Sequence, residues 1–265
     1  MEEEKEEFAM VQQKKKTKLF IVNTVLLLLG VLLCFAGYRA YIILSEYHEA
    51  AKEYQEIRKI VISDLDEDKN DSSSIVVDFE KLAEINPEVV GWIRFEEPKE
   101  INYPIVQCQD NEKYLTSTFE GKENGAGCIY MDANNVSDFS DRNTFIYGHY
   151  RKNGHMFGAL GKYKDTDYYS NHPYFEIYTP DGYKNTYQIF AVTVVNSSSD
   201  SYKKVYVNEE EYKNYINMVK KLSLYETGVE VGEDSFIVSL STCTNVRIEE
   251  RLVIHGVRIS QEQTK

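Results

Sequence analysis

Ser235-Phe-Ile-Val-Ser-Leu-Ser-Thr-Cys243, followed by Thr244-Asn-Val-Arg-Ile-Glu-Glu-Arg251-Leu-Val-Ile-His-Gly256, holds two apolar runs joined by a polar loop. Each run is short, rich in β-branched residues and bounded by polar residues, the pattern of a strand. A cysteine stands where the first strand meets the loop, and an arginine opens the second. A thiol at a strand end is open to solvent at a sheet edge, and nearby cations such as Arg247 and Arg251 favour thiolate over thiol. Cys243 is therefore the candidate nucleophile. The competing reading is a small buried hydrophobe, the usual state of a free cysteine.

The other three cysteines fit less well. Cys34 lies inside an apolar segment. Cys108 and Cys128 sit among turn-rich residues and could bridge one another. A thiol nucleophile also needs a base, and acyl transfer needs a donor for the oxyanion. Five histidines are available. His48 lies upstream of the domain, His172 precedes a proline, and His255 lies inside the last strand as a structural residue would. His149 follows the strand 143–147 through Gly148, at a strand end that can face a groove. His155 sits in a glycine-containing loop, and residue pattern alone leaves it as an alternative to His149. Arg251 begins a strand that can fix its direction; its competing role is a surface ion pair with Glu249 or Glu250. No H-x-x-x-H, paired C-x-x-C or phosphate-binding glycine loop is present, so no metal or cofactor is expected.

Upstream of this stretch, 78–85 reads as a short helix capped by Asp78. Residues 89–95, 101–106, 127–131 and 143–147 read as strands, 110–115 as one helical turn and 156–160 as helical. Asp181-Gly182 joins 174–178 to 183–195 as a hairpin. In 209–222, Tyr212, Tyr215, Ile216, Val219 and Leu222 recur at helical spacing, which predicts a helix packed by one face. With 236–240 and 252–259, about eight short strands, turns and one late helix predict a mainly β fold: a closed or nearly closed mixed β-barrel with helices at its rim.

The beginning of the chain differs in kind. An acidic head without periodicity leads to Lys14, Lys15, Lys16 and Lys18. From Leu19 to Gly37 the residues are apolar except Asn23 and Thr24, just enough to cross a hydrocarbon core as a helix. The lysine excess before this segment places the N-terminus in the cytoplasm and the rest outside; a cleaved signal peptide would need a shorter apolar run and a better cleavage site. Residues 40–62 suit an amphipathic helix, a stalk or one packed on the domain, and 63–74 read as a flexible linker. The expected organisation is a cytoplasmic tail (1–18), a transmembrane anchor (19–38), a helical stalk and linker (39–75), a catalytic domain (76–260) and a C-terminal tail (261–265). A chain starting near residue 64 is expected to be soluble and active. The net charge of −13 over 265 residues argues against nucleic acid as a partner.

Taken together, Leu240-Ser-Thr-Cys243, Arg251-Leu-Val-Ile-His255 and Thr144-Phe-Ile-Tyr-Gly-His149 resemble a sortase. Ile85-Asn-Pro-Glu-Val-Val-Gly-Trp-Ile93, Tyr103-Pro-Ile-Val-Gln107, Asp110-Asn-Glu-Lys-Tyr-Leu115 and Met156-Phe-Gly-Ala-Leu160 resemble class B in particular, in the family's order over residues 76–260. Ser239 stands where the family's motif begins with threonine, and it keeps the hydroxyl. The resemblance implies a membrane-tethered transpeptidase of the Gram-positive surface. It would cut a surface protein's C-terminal sorting signal after threonine and pass the acyl group through Cys243 to an amine of the cell wall. It implies His149 as acid and base, Arg251 as donor to substrate and oxyanion, and Asn111, Leu115, Ser241 and Thr242 as lining of the sorting-signal groove, with 196–222 as another wall. Pilin polymerisation is the alternative within the family. A papain-like peptidase would carry cysteine before histidine, the reverse of the order here. A non-enzymatic anchored binding module, for which the 21 tyrosines speak, requires Cys243 to be unreactive.

Overall fold

A computed structural model of the chain describes residues 1–64, 75–244, 246–247 and 249–264. Residues 1–48 and 49–265 form two compact units. Helix α1 (Glu2–Val61) begins in the first, so the acidic head, which shows no periodicity, lies within a helix. α1 is long and apolar enough to cross a membrane, and none of its most apolar stretch is buried. Leu26, Leu27, Leu32 and Leu33 all present their side chains to the surface.

In the second unit, the last turns of α1 are part of the core. Ala50, Tyr54, Ile57 and Val61 recur every three or four residues and are all buried, which makes one helical face apolar. Of the two readings open for this segment, a stalk or a packed helix, the structure has the packed one. Just after it, β1 (Ile62–Asp64) pairs antiparallel with β2 (Ile75–Val77). The predicted linker lies between them, and its residues 65–74 are outside the described ones.

Eight strands close the barrel: β3 (Val89–Arg94), β4 (Asn102–Val106), β5 (Ile129–Met131), β6 (Asn143–Tyr147), β7 (Tyr174–Tyr178), β8 (Tyr183–Asn196), β9 (Ile237–Cys243) and β10 (Glu250–Gln263). Their order around the barrel is β10-β8-β7-β3-β4-β5-β6-β9. It is mixed because β4 runs parallel to β5, and β6 parallel to β9. β10 continues to Gln263, opposite Tyr183, through most of the segment expected to be a tail. Helix α2 (Phe79–Ile85) starts at Asp78, whose carboxylate accepts from the Lys81 amide at 3.0 Å. The helical reading of 156–160 becomes a 3₁₀ helix at Gly158–Lys164, followed by α3 (Thr166–Asn171), which the sequence did not announce.

Alternation along β6, β9 and β10 sorts side chains onto two faces. Ile146, Val238, Leu240, Leu252 and Ile254 enter the main core with Trp92 and Phe175. The residues between them turn outward. There, α4 (Glu209–Leu222) lays Tyr212, Tyr215, Ile216 and Val219 on Phe190, Ile237 and Val257. Nearer the end of β9 the same outer face carries Phe145, Val195 and Val253, with Tyr202 of the β8–β9 crossover packed on them. The cover formed by 196–222 therefore lies along the outer side of these strands and leads to the end where Cys243 stands.

Candidate active site

Register brings the predicted residues together. β6 and β9 run parallel with Tyr147 opposite Ser241, and the Gly148 amide donates to the Ser241 carbonyl at 3.2 Å. Two residues further along each chain stand His149 and Cys243, at the same end of two adjacent strands. On the other side of Cys243, Arg251 is its direct partner in the antiparallel β9–β10 ladder. Arg251 in turn pairs with Val195 of β8. Cys243 and Arg251 thus face each other across β9 and β10, and His149 follows the end of β6, the strand on the other side of β9. Cys243 and Ser241 alternate with inward-facing Leu240, so both belong to the outer face, beneath the 196–222 cover.

Two glycines lie at close approaches here, one next to His149 in the chain and one against its ring. A side chain at Gly148 would collide with Ile129 Cδ1 at 2.5 Å and Phe157 Cδ2 at 2.7 Å. Gly127 has φ +64°, and a Cβ there would meet the Tyr114 carbonyl at 2.6 Å and His149 Cδ2 at 2.9 Å. The backbone at Gly127 is therefore the wall against which the imidazole lies, in a conformation only glycine adopts without strain.

His149 Nε2 lies 2.7 Å from the Leu115 carbonyl oxygen. A carbonyl can only accept, so in the neutral ring Nε2 carries the hydrogen and Nδ1 keeps its lone pair. Burial lowers the His149 pKa; the Leu115 bond raises it somewhat and the Arg151 charge lowers it further, with a net fall below the usual value. The ring is neutral at neutral pH, with Nδ1 the nitrogen free to take up a proton. Arg251 donates from Nη1 to the Glu250 carbonyl at 3.1 Å.

The expected groove residues divide. Ser241 is buried, and its hydroxyl is 2.7 Å from the Tyr202 hydroxyl of the cover. Leu115 is partly exposed at the bond to His149. Asn111 accepts from the Ala133 amide at 2.9 Å and donates to Asp132 at 3.3 Å, so its amide is held in one orientation. Thr242 differs from these. It alternates with Ser241 and Cys243, lies on the inward face opposite Leu252, and is 3% exposed. Its side chain is not brought to the site, because neighbours in a strand point to opposite faces.

Other candidates go elsewhere. His155 lies within electrostatic reach of Arg58 and Glu100; burial foremost, then the Arg58 charge, lowers its pKa. His255 is fully buried, with Nδ1 2.8 Å from the Ser239 hydroxyl, and burial pushes its pKa down to about 3. Ser239 also donates to Asn143 at 2.8 Å, so the hydroxyl kept at this position has a structural use. Cys108 and Cys128 are free thiols, not a bridge. Cys128 lies in the core, where burial pushes it up to about 12. Arg247 sits in the β9–β10 loop and, with Val195, Asn196 and Glu249, lines a cavity of about 660 Å³ on the far side of Arg251 from His149.

Tyr130 and Tyr202 escaped the sequence reading. Tyr130 pairs with Tyr147, and burial pushes its pKa up to about 12; the charges of Asp132 and Cys243 also raise it, while that of Arg251 lowers it. Tyr202 feels the same two site residues. Twenty-one tyrosines hid them. Among the described residues no group of three or more His, Cys, Asp or Glu side chains is arranged to hold a metal ion.

The barrel and these residues define a class of protein that the comparisons name. The sortase domain family matches residues 97–259, and the chain belongs to that family. Its relatives are of the B class. Sortase B of Listeria monocytogenes is 35% identical over 187 residues, which span 68% of this chain and 73% of that protein. Sortase B of Staphylococcus aureus is 30% identical over 178 residues, 66% of this chain and 72% of that one. Among solved structures, Bacillus anthracis sortase B in complex with AAEK1 superposes with TM-score 0.70 at 30% identity, covering 82% of this chain and all of the other. A Staphylococcus aureus sortase B–substrate complex gives 0.65 at 29% identity, covering 69% and 85%. Sortases are transpeptidases, and this chain is an enzyme of that type.

Proposed function

We propose that the chain is a membrane-anchored cysteine transpeptidase that cleaves a C-terminal sorting signal after threonine and transfers the acyl group to a cell-wall amine. The observation that supports this reading is the pairing of Cys243 with Arg251 in the β9–β10 ladder, with His149 two residues past the end of β6, the parallel neighbour of β9. His149, neutral and with Nδ1 open, takes the Cys243 proton as sulfur attacks the threonine carbonyl carbon. Arg251, which stays charged throughout, donates to the oxygen that gains negative charge in the tetrahedral intermediate. When that intermediate collapses, the carbon–nitrogen bond breaks and the imidazolium returns its proton to the leaving amine. A thioester at Cys243 remains. The incoming amine attacks it, gives its proton to His149, and leaves as a new amide; the proton then returns to sulfur. Ser241, Leu115 and Asn111 would line the groove for the residues before the cut. The substrate-bound and triglycine-bound sortase B structures among the relatives accord with two binding partners, a sorting signal and an amine.

The test is cleavage and amine transfer with the purified enzyme, a small library of sorting-signal peptides and triglycine as acceptor. Cys243→Ala is expected to lose about 10⁴-fold or more in turnover, while Cys108→Ala keeps most activity. Cleavage by Cys243→Ala near the wild-type rate rejects the assignment.

A further inference from the structure

Asp132, one residue past the end of β5, is 1% exposed and receives donors from three directions on one oxygen. Tyr147, two residues before His149, donates its hydroxyl to Oδ2 at 2.8 Å. Asn111 donates to the same oxygen at 3.3 Å. The third donor is Lys204 Nζ at 2.5 Å, from the β8–β9 crossover. The other carboxylate oxygen accepts from the Asn134 amide at 2.9 Å. Burial raises the Asp132 pKa, but the Lys204 bond and these hydrogen bonds outweigh it, so the group stays ionised.

Lys204 follows directly on the part of the cover that lies over the site. Tyr202 stacks on Phe145 with ring centres 5.3 Å apart and reaches the Ser241 hydroxyl. Ser201 accepts from Tyr215 through its carbonyl at 2.8 Å. Immediately beyond Lys204, Val205 is 78% exposed and Val207 87% exposed. Val205 and Val207 point to solvent, whereas Tyr206 between them packs on Tyr212 and Tyr215 of α4, so Lys204 is flanked by Tyr202 on the barrel and Tyr206 on the helix. A lysine tied to a buried carboxylate that also orients Asn111 and Tyr147 joins two sides of the groove: the cover and the floor beside His149.

We propose that Lys204 is a positioning residue for substrate binding, whose ion pair with Asp132 latches the 196–208 segment against the end of β5 and sets the width of the sorting-signal groove. The proposal rests on the transpeptidase reading for what occupies the groove, but not for the latch itself. Losing the latch lets the cover move while Cys243, His149 and Arg251 keep their places on paired strands. The consequence falls on KM and spares kcat.

The experiment compares Lys204→Met, Lys204→Arg and the double variant Asp132→Asn/Lys204→Met with wild type, and uses Lys213→Met on the exposed Lys213–Glu233 pair as control. The double variant removes the lone buried carboxylate that Lys204→Met leaves behind, so one latch-free protein carries no uncompensated buried charge. Lys204→Met and the double variant are expected to raise KM for a cleaved sorting peptide about tenfold with kcat within about twofold, a loss of uniform binding. Lys204→Arg restores most of the affinity, and Lys213→Met matches wild type. Hydrogen exchange of the 199–207 amides accelerates in the two latch-free variants alone. Unchanged KM and unchanged exchange overturn the latch, as does a fall in kcat that tracks a lowered Tm without a rise in KM. A wild-type enzyme that processes no sorting peptide rejects the transpeptidase reading, and the exchange measurement still decides whether Lys204 holds the cover.

Discussion

Arg251 stands directly opposite Cys243 in the β9–β10 ladder, whereas Arg247 lies in the loop between the two strands. Proximity in sequence favours Arg247, since it is four residues from Cys243 and Arg251 is eight. Pairing reverses that order in space. A donor to a developing oxyanion has to be in place before the charge appears, and a ladder position supplies that where a loop position does not. Arg251→Ala is expected to lower turnover about 10²–10³-fold, the usual effect of removing one such donor. Lysine cannot replace the planar two-pronged guanidinium, so Arg251→Lys is impaired as well. Arg247→Ala stays close to wild type. The measurement is steady-state peptide cleavage, with circular dichroism to establish folding; normal turnover in Arg251→Ala, with collapse confined to Arg247→Ala, moves the role to Arg247.

Among the elements, the end of α1 departs furthest from what the sequence suggested. Residues 40–62 carry an amphipathic pattern that fits both a stalk and a packed helix, and only burial decides between them. Tyr54 donates its hydroxyl to the Gly127 carbonyl at 2.8 Å, and Gly127 is the backbone against which His149 lies. Glu53, 5% exposed, accepts from the Thr118 hydroxyl at 3.0 Å and the Glu120 amide at 3.1 Å. These bonds hold the loop between Leu115, whose carbonyl fixes the His149 tautomer, and β5. A chain starting near residue 64 lacks this buried face and these bonds. Full burial of a side chain such as Tyr54, Ile57 or Val61 contributes about 1.5–3 kcal/mol each, against a total stability of about 5–15 kcal/mol for a domain. A chain starting at residue 49 is expected to unfold cooperatively and cleave peptide as the full outer portion does. One starting at residue 64 should melt at least about 10 °C lower, since each kcal/mol shifts Tm by about 2–4 °C in a domain of this size. Equal melting temperatures and equal rates for the two would show that the α1 face contributes nothing.

For the whole molecule, the charge pattern favours one orientation. Four lysines stand before the apolar segment of α1, and only Arg39 and Lys52 follow it closely. That asymmetry supports an N-terminus inside and residues from about 40 outward on the exterior. Protease added to intact cells stripped of their wall is then expected to digest the barrel and leave the N-terminal residues protected. Protection of the entire chain would reverse the orientation and remove the enzyme from any wall acceptor.

Much of this architecture can be read from residue order because its causes are local. The apolar run from Leu19 to Gly37, broken only by Asn23 and Thr24, the cap at Asp78, and the helical spacing of Tyr212, Tyr215, Ile216 and Val219 are all local features of the chain. Short strands with turn signals carry the same local information, and the motifs around His149 and Cys243 made both residues candidates without a structure. Which face each residue takes was not legible at the same level. Thr242 adjoins Cys243 in sequence yet points into the barrel, because alternation along β9 is anchored by which of its residues meet the core. The role of Asp132 was hidden for a related reason. Its partners Asn111, Tyr147 and Lys204 lie 15 to 72 residues away, and no short-range pattern records a contact made only when β5, β6 and the crossover close on one another. The sequence by itself therefore determined the elements, a helix long and apolar enough to cross a membrane and the candidate chemistry-bearing side chains, all products of local propensity and composition. Tertiary structure alone decided the pairing of Cys243 with Arg251 beside the end of β6, the docking of the end of α1, and the Asp132–Lys204 junction, because each depends on strand register and on burial between segments distant in the chain.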